Sequence, residues 1–123
     1  MRIAIPAEDN RGLDSNVCPH FGRARFFVLV DVEGGKLVNV DVVSMPFERH
    51  MPGDIPNFLR NKGVELVIAY GVGRRAMEFF ENLGIKVITG ASGRVGDVVE
   101  GYLRDKLNLD EEWQVRDEFK KHR

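Results

Sequence analysis

The sequence predicts a single α/β domain built on a mixed five-stranded sheet, and two observations support this fold class. The first part of the chain contains three successive strand patterns, whereas the second part alternates apolar strands with amphipathic helices. A strand, a helix and a second strand in succession indicate parallel pairing with a right-handed crossover. The predicted order is therefore β-β-β-α-β-α-β-α, and a chain of 123 residues is long enough to bury one core.

The first part of the chain predicts a three-stranded meander. Residues 2–5 form a short apolar strand, and a polar segment too long for an ordinary hairpin connection follows it. Residues 25–32 are apolar nearly throughout, as expected of a central strand. A turn at Gly34 and Gly35 leads to residues 37–44, whose alternating start predicts one face toward solvent.

The second part predicts three helices and two strands. Asp54 is placed to cap a helix over residues 55–62, which Gly63 ends. Strands over residues 64–70 and 85–89 alternate with helices over 73–84 and 93–107. The inward side chains are expected to be Ala76, Phe79, Phe80 and Leu83 in the former helix and Val95, Val98, Val99, Tyr102 and Leu103 in the latter. The simplest sheet has the first strand at its centre, the meander on one side and the two later strands, parallel to it, on the other.

Composition narrows the functional classes. The formal net charge is -1, which predicts no general affinity for nucleic acid or membranes. A single cysteine cannot form a disulfide framework, and no apolar run could span a bilayer, so we expect a cytoplasmic protein. The densely charged segment from residue 108 to 123 is expected to be a solvated helix or partly disordered.

This topology predicts that four loops converge at one edge of the sheet, at residues 6–23, 44–54, 70–73 and 89–94. Ligands of open α/β sheets usually bind beyond the carboxyl ends of the strands, which is the edge in question. The connections at the opposite edge are short. The convergent loops are therefore the predicted functional site.

Cys18, His20 and His50 are the candidate metal ligands of that edge. Cys18 and His20 point the same way if their segment is extended. Cys-x-His is not a spacing typical of structural zinc sites, so the pair alone fits an ordinary turn better than a ligand set. The third side chain, His50, lies in another convergent loop. With it included, a metal-ligand set and an ordinary turn are equally good interpretations.

Two glycine-containing turns open directly into helices and are candidate anion sites. The first contains Gly71, Gly73 and Arg74, and the second contains Gly93 and Arg94. Free N–H groups and the helix dipole favour an anion at such positions, and Arg23 adds positive charge nearby. Neither turn has a complete dinucleotide or phosphate-loop motif, and glycines also serve tight connections for steric reasons.

No pattern of nucleophile, base and orienting group is evident, so the sequence predicts a non-catalytic protein. Aspartates 9, 14 and 54 lie in the site loops and could bind a hard cation, but turns and helix caps also favour aspartate.

Three blocks resemble the dinitrogenase iron-molybdenum cofactor biosynthesis family: HFGRA at residues 20–24, H-x-x-G at 50–53 and GVGRRA at 71–76. The resemblance covers roughly residues 1–109 and leaves a charged tail over 110–123. It implies a ribonuclease-H-like fold and a nitrogen fixation-related role in binding, without turnover, an iron–sulfur cluster or iron-molybdenum cofactor precursor. The positions that match the motifs of the family are His20, Phe21, Gly22, Arg23, His50, Gly53, Gly71, Gly73 and Ala76. Cys18 stands where relatives often have serine or another small residue.

Three functional hypotheses follow. The first is a carrier of an anionic metal cluster that exchanges it with a donor or acceptor protein. The second is a binder of a phosphorylated metabolite or nucleotide at the two glycine turns. The third is a protein-docking adaptor that uses residues 108–123 as its contact segment.

Overall fold

A computed structural model describes residues 1–46 and 51–115 of the chain. Its strands are β1 (Arg2–Ala7), β2 (Phe26–Glu33), β3 (Lys36–Ser44), β4 (Leu66–Ile68) and β5 (Lys86–Ile88). Its α-helices are α1 (Asp54–Asn61), α2 (Arg74–Leu83) and α3 (Val95–Leu103), and short 3₁₀ turns span Gly12–Asp14, Phe21–Arg23 and Trp113–Val115. The predicted order of elements is confirmed, with β4, β5 and α3 shorter than their sequence patterns.

The strands form one mixed sheet in the order β3-β2-β1-β4-β5. β1 pairs antiparallel with β2 and parallel with β4, and β4 pairs parallel with β5. The predicted α/β architecture is therefore confirmed, including the central position of β1. Because β1, β4 and β5 are parallel, their carboxyl ends lie at the same edge of the sheet.

Each face of the sheet carries its own apolar core. In β1, Ile3 and Ile5 pack with the apolar face of α3, whereas Ala4 belongs to the core with α1 and α2. This division follows from the two-residue period of a strand, which sends neighbouring side chains to opposite faces. The domain is thus three layers, with α3 on one side of the sheet and α1 and α2 on the other.

Two details of the helices differ from expectation. Asp54 does not cap α1, because Gly53 occupies the cap position and the Asp54 carboxylate accepts the Met51 N–H at 2.8 Å. Phe79 is 38% exposed, and Met77 packs against the core instead. The Phe79 ring lies against Gly53, where an added Cβ would be 2.7 Å from Phe79 Cε1. Phe79 therefore lies against the start of α1, and only a glycine at residue 53 allows its ring to come this close.

The expectation of a solvated tail is wrong for the part that the structure describes. Trp113 is buried at 8% exposure, and the Asp110 N–H donates to the Gly90 carbonyl at 2.8 Å. One apolar indole among charged neighbours is a weak sequence signal, but its burial is sufficient to favour docking over solvation. Residues 116–123 lie outside the described part of the chain.

Candidate functional site

Backbone hydrogen bonds join three of the four predicted loops at the carboxyl edge of the sheet. The Gly71 N–H donates to the Pro19 carbonyl at 3.1 Å, and the Phe21 N–H donates to the Gly71 carbonyl at 3.2 Å. The Val17 N–H donates to the Gly93 carbonyl at 2.8 Å. The first, third and fourth loops therefore converge as predicted, while residues 47–50 of the second loop lie outside the described residues.

Phe21 anchors the first loop immediately after His20. Its ring is 3% exposed and meets the rings of Phe27 and Phe80 edge to face, with centroids 5.4 Å apart in both cases. Aromatic pairs in this geometry contribute about 0.5–1.5 kcal/mol beyond the area they bury. The loop is thus fixed to the core with α1 and α2 at the point where it approaches β4.

His20 is half-buried and lies in extended backbone between Pro19 and the anchored Phe21. It forms a parallel bridge with Gly71, so its position depends on both the first and the third loop. The corresponding candidate of the second loop, His50, lies outside the described residues. His20 is therefore the histidine ligand candidate that the structure locates.

Cys18 is half-buried in the same segment, with its N–H bonded to the Pro6 carbonyl at 2.9 Å and its Sγ 3.4 Å from the His20 carbonyl oxygen. Burial raises the pKa of its thiol, and the carboxylate of Glu8 raises it further. The backbone at His20 and the charge of Arg23 oppose these effects without cancelling them. Cys18 is therefore a protonated thiol at neutral pH, and metal binding would displace its proton.

The described residues contain no group of three histidine, cysteine, aspartate or glutamate side chains that could hold a metal ion. Cys18 and His20 are two donor residues that flank a bend at Pro19, so the extended backbone that would point both side chains the same way is interrupted there. Such a set leaves coordination positions open, unlike the four protein ligands of a structural zinc site.

Four arginines near this edge make no ion pair with any residue that the structure describes. They are Arg23 and Arg25 at the end of the first loop and Arg74 and Arg75 at the start of α2. The first turn of α2 contains no acidic residue. Positive side chains are unfavourable beside a helix N-terminus, so this edge concentrates positive charge that the described chain does not neutralise.

The two glycine turns differ in how many of their backbone groups are already hydrogen-bonded within the chain. Gly73, before α2, has nothing within 4 Å of the position that a Cβ would occupy. At the second turn the Gly93 carbonyl accepts the Val17 N–H, and the first N–H of α3, from Val95, donates to the Ser15 carbonyl at 2.8 Å. The first N–H of α3 is therefore already bonded within the chain, whereas the first N–H groups of α2, which follow Gly73, make no such bond to another described loop. Gly71 itself is not open, because its N–H and its carbonyl are both bonded to the first loop.

Arg94 binds carboxylates of its own chain. Its Nη2 is 2.9 Å from Asp14 Oδ1, and its Nη1 is 3.2 Å from Asp97 Oδ1. The guanidinium also lies over Gly96, where an added Cβ would be 2.6 Å from Arg94 Nη1. A ligand role for Gly93 and Arg94 remains a prediction, and the geometry favours a structural one that joins the first loop to α3.

Sequence reasoning missed the contribution of the tail to this edge. The Tyr70 hydroxyl donates to Asp110 Oδ2 at 2.7 Å, so a residue of the predicted tail contacts the end of the third loop. The two residues are 40 positions apart, and neither belongs to a local motif. The charge density that suggested a solvated segment gave no indication of this contact.

Among the helices in the described ranges, none is long and apolar enough to cross a membrane.

Comparisons with known proteins identify the family and agree with the fold. The sequence model of the dinitrogenase iron-molybdenum cofactor family matches residues 1–105. The crystal structure of PH0822 is similar over 92% of this chain and 99% of its own, with 53% identity and a TM-score of 0.87. A candidate NifB protein from Thermotoga is 33% identical over 88% of this chain and 91% of its own, with a TM-score of 0.68. The apo form of the orange protein from Desulfovibrio gigas is 28% identical over 89% of this chain and 92% of its own, with a TM-score of 0.74.

Proposed function

The chain belongs to the dinitrogenase iron-molybdenum cofactor family, and from this membership we propose that it is a small carrier of an anionic metal cluster. The cargo is an iron–sulfur cluster or an iron–molybdenum-type cofactor or precursor. The protein binds it at the carboxyl edge of the sheet and passes it between a donor and an acceptor protein, without catalysing a reaction on it.

The observation that carries this proposal is the set of arginines at this edge that have no ion-pair partner among the described residues, close in sequence to the His20–Gly71 bridge. A chain with a formal net charge of -1 has no general affinity for anions. Arg23, Arg74 and their neighbours nevertheless leave positive charge at this one edge. Charge of this sign stabilises an anionic cluster and raises its rate of encounter.

His20, Cys18 and, by its position in the second loop, His50 are the proposed ligands of the cargo. An imidazole nitrogen and a thiolate are both donors for iron in clusters. Two or three protein ligands leave the remaining positions to sulfide or to the next protein, which suits cargo that must be released. The Gly71–Gly73 turn lets the cluster approach the backbone at the start of α2.

The names of two relatives are compatible with a protein that holds a cofactor. One is a candidate NifB protein, and another was solved in an apo form. Both relatives cover most of this chain. We infer that the shared fold presents its loops to such cargo here as well.

The test is anaerobic reconstitution of the full chain with ferrous iron and sulfide, followed by desalting, an iron count and a visible absorption spectrum. We expect bound iron with broad charge-transfer bands, lost in a His20→Ala/His50→Ala variant. A matched control is His122→Ala, which removes a histidine far along the chain from the predicted loops. Iron retained equally in all three proteins would contradict the proposed site.

The turn before α2 favours one second candidate, a phosphorylated metabolite or nucleotide bound by Gly73 and Arg74. This function predicts a colourless protein after reconstitution. It also predicts that inorganic phosphate and pyrophosphate shift the amide resonances of residues 71–76, and that Arg74→Gln removes the shift while His20→Ala does not.

A further inference from the structure

We propose that residues 106–115 form a strap that positions the cofactor loops, with Tyr70, Gly90 and Asp110 as its positioning residues. This inference rests on the proposed function, because the loops concerned are those that hold His20. The strap lies beyond residues 1–105, the part of the chain that the family model matches.

Asp110 fastens the strap to two loops at once. Its N–H donates to the Gly90 carbonyl at 2.8 Å, and its Oδ2 accepts the Tyr70 hydroxyl at 2.7 Å. Its Oδ1 accepts the Glu112 N–H at 3.1 Å, which shapes the turn that leads to the buried Trp113. A carboxylate that accepts a hydroxyl and an N–H together forms stronger hydrogen bonds than neutral groups do.

At Gly90 the backbone of the strap lies close against the fourth loop. Its φ is +93°, and an added Cβ would lie 2.6 Å from the Asp110 carbonyl oxygen and 2.9 Å from the Asp110 nitrogen. Gly93 has nearly the same φ, +92°, but has nothing within 4 Å of its Cβ position. The close approach of the strap therefore excludes any side chain at residue 90, whereas residue 93 has space for one.

A short path of hydrogen bonds connects the strap to His20. The Gly90 N–H donates to the Tyr70 carbonyl at 2.8 Å, so the third and fourth loops are held together where the strap contacts both. The next residue, Gly71, bonds to Pro19 and Phe21 on either side of His20. Tyr70 is thus held by Gly90 through its carbonyl and by Asp110 through its hydroxyl. These two bonds hold the adjacent backbone of Gly71, which pairs with His20.

The first measurement is amide hydrogen exchange on the full chain without cargo, which tests the strap independently of any ligand. The informative amides belong to Gly71 and Phe21, because they make the two bonds that flank His20. In Asp110→Ala, and to a smaller extent in the milder Tyr70→Phe, we expect both to exchange about tenfold faster. The matched control is Asp31→Ala, which removes a carboxylate bonded to Arg2 at the far end of the sheet and should leave both amides unchanged. Unchanged exchange in both strap variants would overturn the inference.

The second measurement links the strap to cargo through reconstitution with ferrous iron and sulfide. We expect Asp110→Ala to lose iron about tenfold faster than wild type during desalting, and Asp31→Ala to match wild type. Loss of iron at the wild-type rate in Asp110→Ala would overturn the positioning role. If wild type binds no iron while the exchange result holds, the proposed function fails and the strap stands as a positioning element of the same loops.

Discussion

Cys18 is the side chain whose chemistry depends most directly on its neighbours. Burial and Glu8 raise the pKa of its thiol, and Arg23 lowers it. Because only the thiolate reacts with alkylating agents and metals, the same balance controls both reactions. The protein therefore keeps its single cysteine in the less reactive thiol form at neutral pH.

The rate of alkylation by iodoacetamide measures how much of Cys18 is in the thiolate form. We expect slow modification of wild type at neutral pH and a rate that rises with pH beyond the range of an ordinary thiol. Glu8→Gln should accelerate the reaction because it removes a negative charge, and Arg23→Gln should slow it. Equal rates in the two variants would mean that access rather than charge controls Cys18.

The ion pair between Arg2 and Asp31 predicts acid sensitivity at residue scale. Two bonds, at 2.9 and 3.2 Å, join the guanidinium to the carboxylate, and they hold the pKa of Asp31 below its ordinary value. A lowered folded-state pKa contributes stability above the unfolded pKa, and that stability is lost as the pH falls through the folded pKa. Urea unfolding should therefore show that Asp31→Asn is less stable than wild type at pH about 7 and approaches it at pH about 2. A constant difference across that range would contradict the assignment.

Residue types at the site could be predicted from the sequence, but their partners could not. Arg74 and Arg94 both stand at the start of a helix after a glycine, yet Arg94 binds Asp14 and Asp97 while Arg74 has no ion-pair partner among the described residues. Asp14 is 80 positions from Arg94. Only the folded topology determines which of two similar motifs has its charge neutralised by the chain.

At the scale of elements, the first loop depends on Phe21 for its position. We expect Phe21→Leu to lower the free energy of unfolding by about 1–2 kcal/mol, because two edge-to-face contacts and part of a buried ring are lost. Phe79→Leu is the matched control, because the Phe79 ring is 38% exposed. It should lower the free energy of unfolding by less than Phe21→Leu does. Chemical denaturation measures both, and a larger cost for Phe79→Leu would contradict the anchoring role of Phe21.

Gly90 and Gly93 provide a matched pair for the contact between the strap and the fourth loop. Alanine at either position is strained because φ is near +90°, at a cost of about 1–2 kcal/mol. Gly90→Ala should cost about 1 kcal/mol more than Gly93→Ala, because its Cβ meets the Asp110 backbone. Thermal or urea unfolding compares the two. Faster hydrogen exchange of the Asp110 amide in Gly90→Ala but not in Gly93→Ala would show that the additional loss of stability arises at the contact with the strap. Equal losses of stability and equal exchange in the two variants would contradict this contact.

Periodic elements could be predicted from the sequence because their burial has a period. The inward valines of α3 follow this rule, and their burial is confirmed. The strands of the meander form at the predicted positions without such a period, because β1 and β2 are buried nearly throughout and β3 is exposed over most of its length instead of alternating. The strap has no period, since one tryptophan and one aspartate make its principal contacts. A short segment of this kind is indistinguishable from a solvated tail until the surface that receives it is known.

At the scale of the whole molecule, the location of the site follows from strand order. With β1 central and parallel to β4 and β5, the loops after these strands converge, and the turns at the other edge are short. The same order places the amino-terminal end of α2 at this edge. Topology thus accounts for the concentration of Arg23, Arg25, Arg74 and Arg75 in a nearly neutral protein.

That concentration predicts opposite effects on stability and on binding. Arg74→Glu/Arg75→Glu places acidic side chains in the first turn of α2, where the helix dipole favours them, so the free energy of unfolding should rise by about 0.5–1 kcal/mol. The same change reverses the charge of the proposed site, so iron retained after reconstitution should fall about tenfold, and less so at high salt.

The control for this last prediction is Arg104→Glu, a charge reversal in an arginine that pairs with Glu100 at 2.8 Å beside α3. It should leave iron binding unchanged and lower stability slightly, because it breaks the pair and places negative charge at the end of α3. If the Arg74→Glu/Arg75→Glu variant were instead less stable than wild type with its iron retained, these arginines would be stabilising the fold. A more stable protein that binds less iron would mean that the chain keeps an unfavourable helix start because its ligand is an anion.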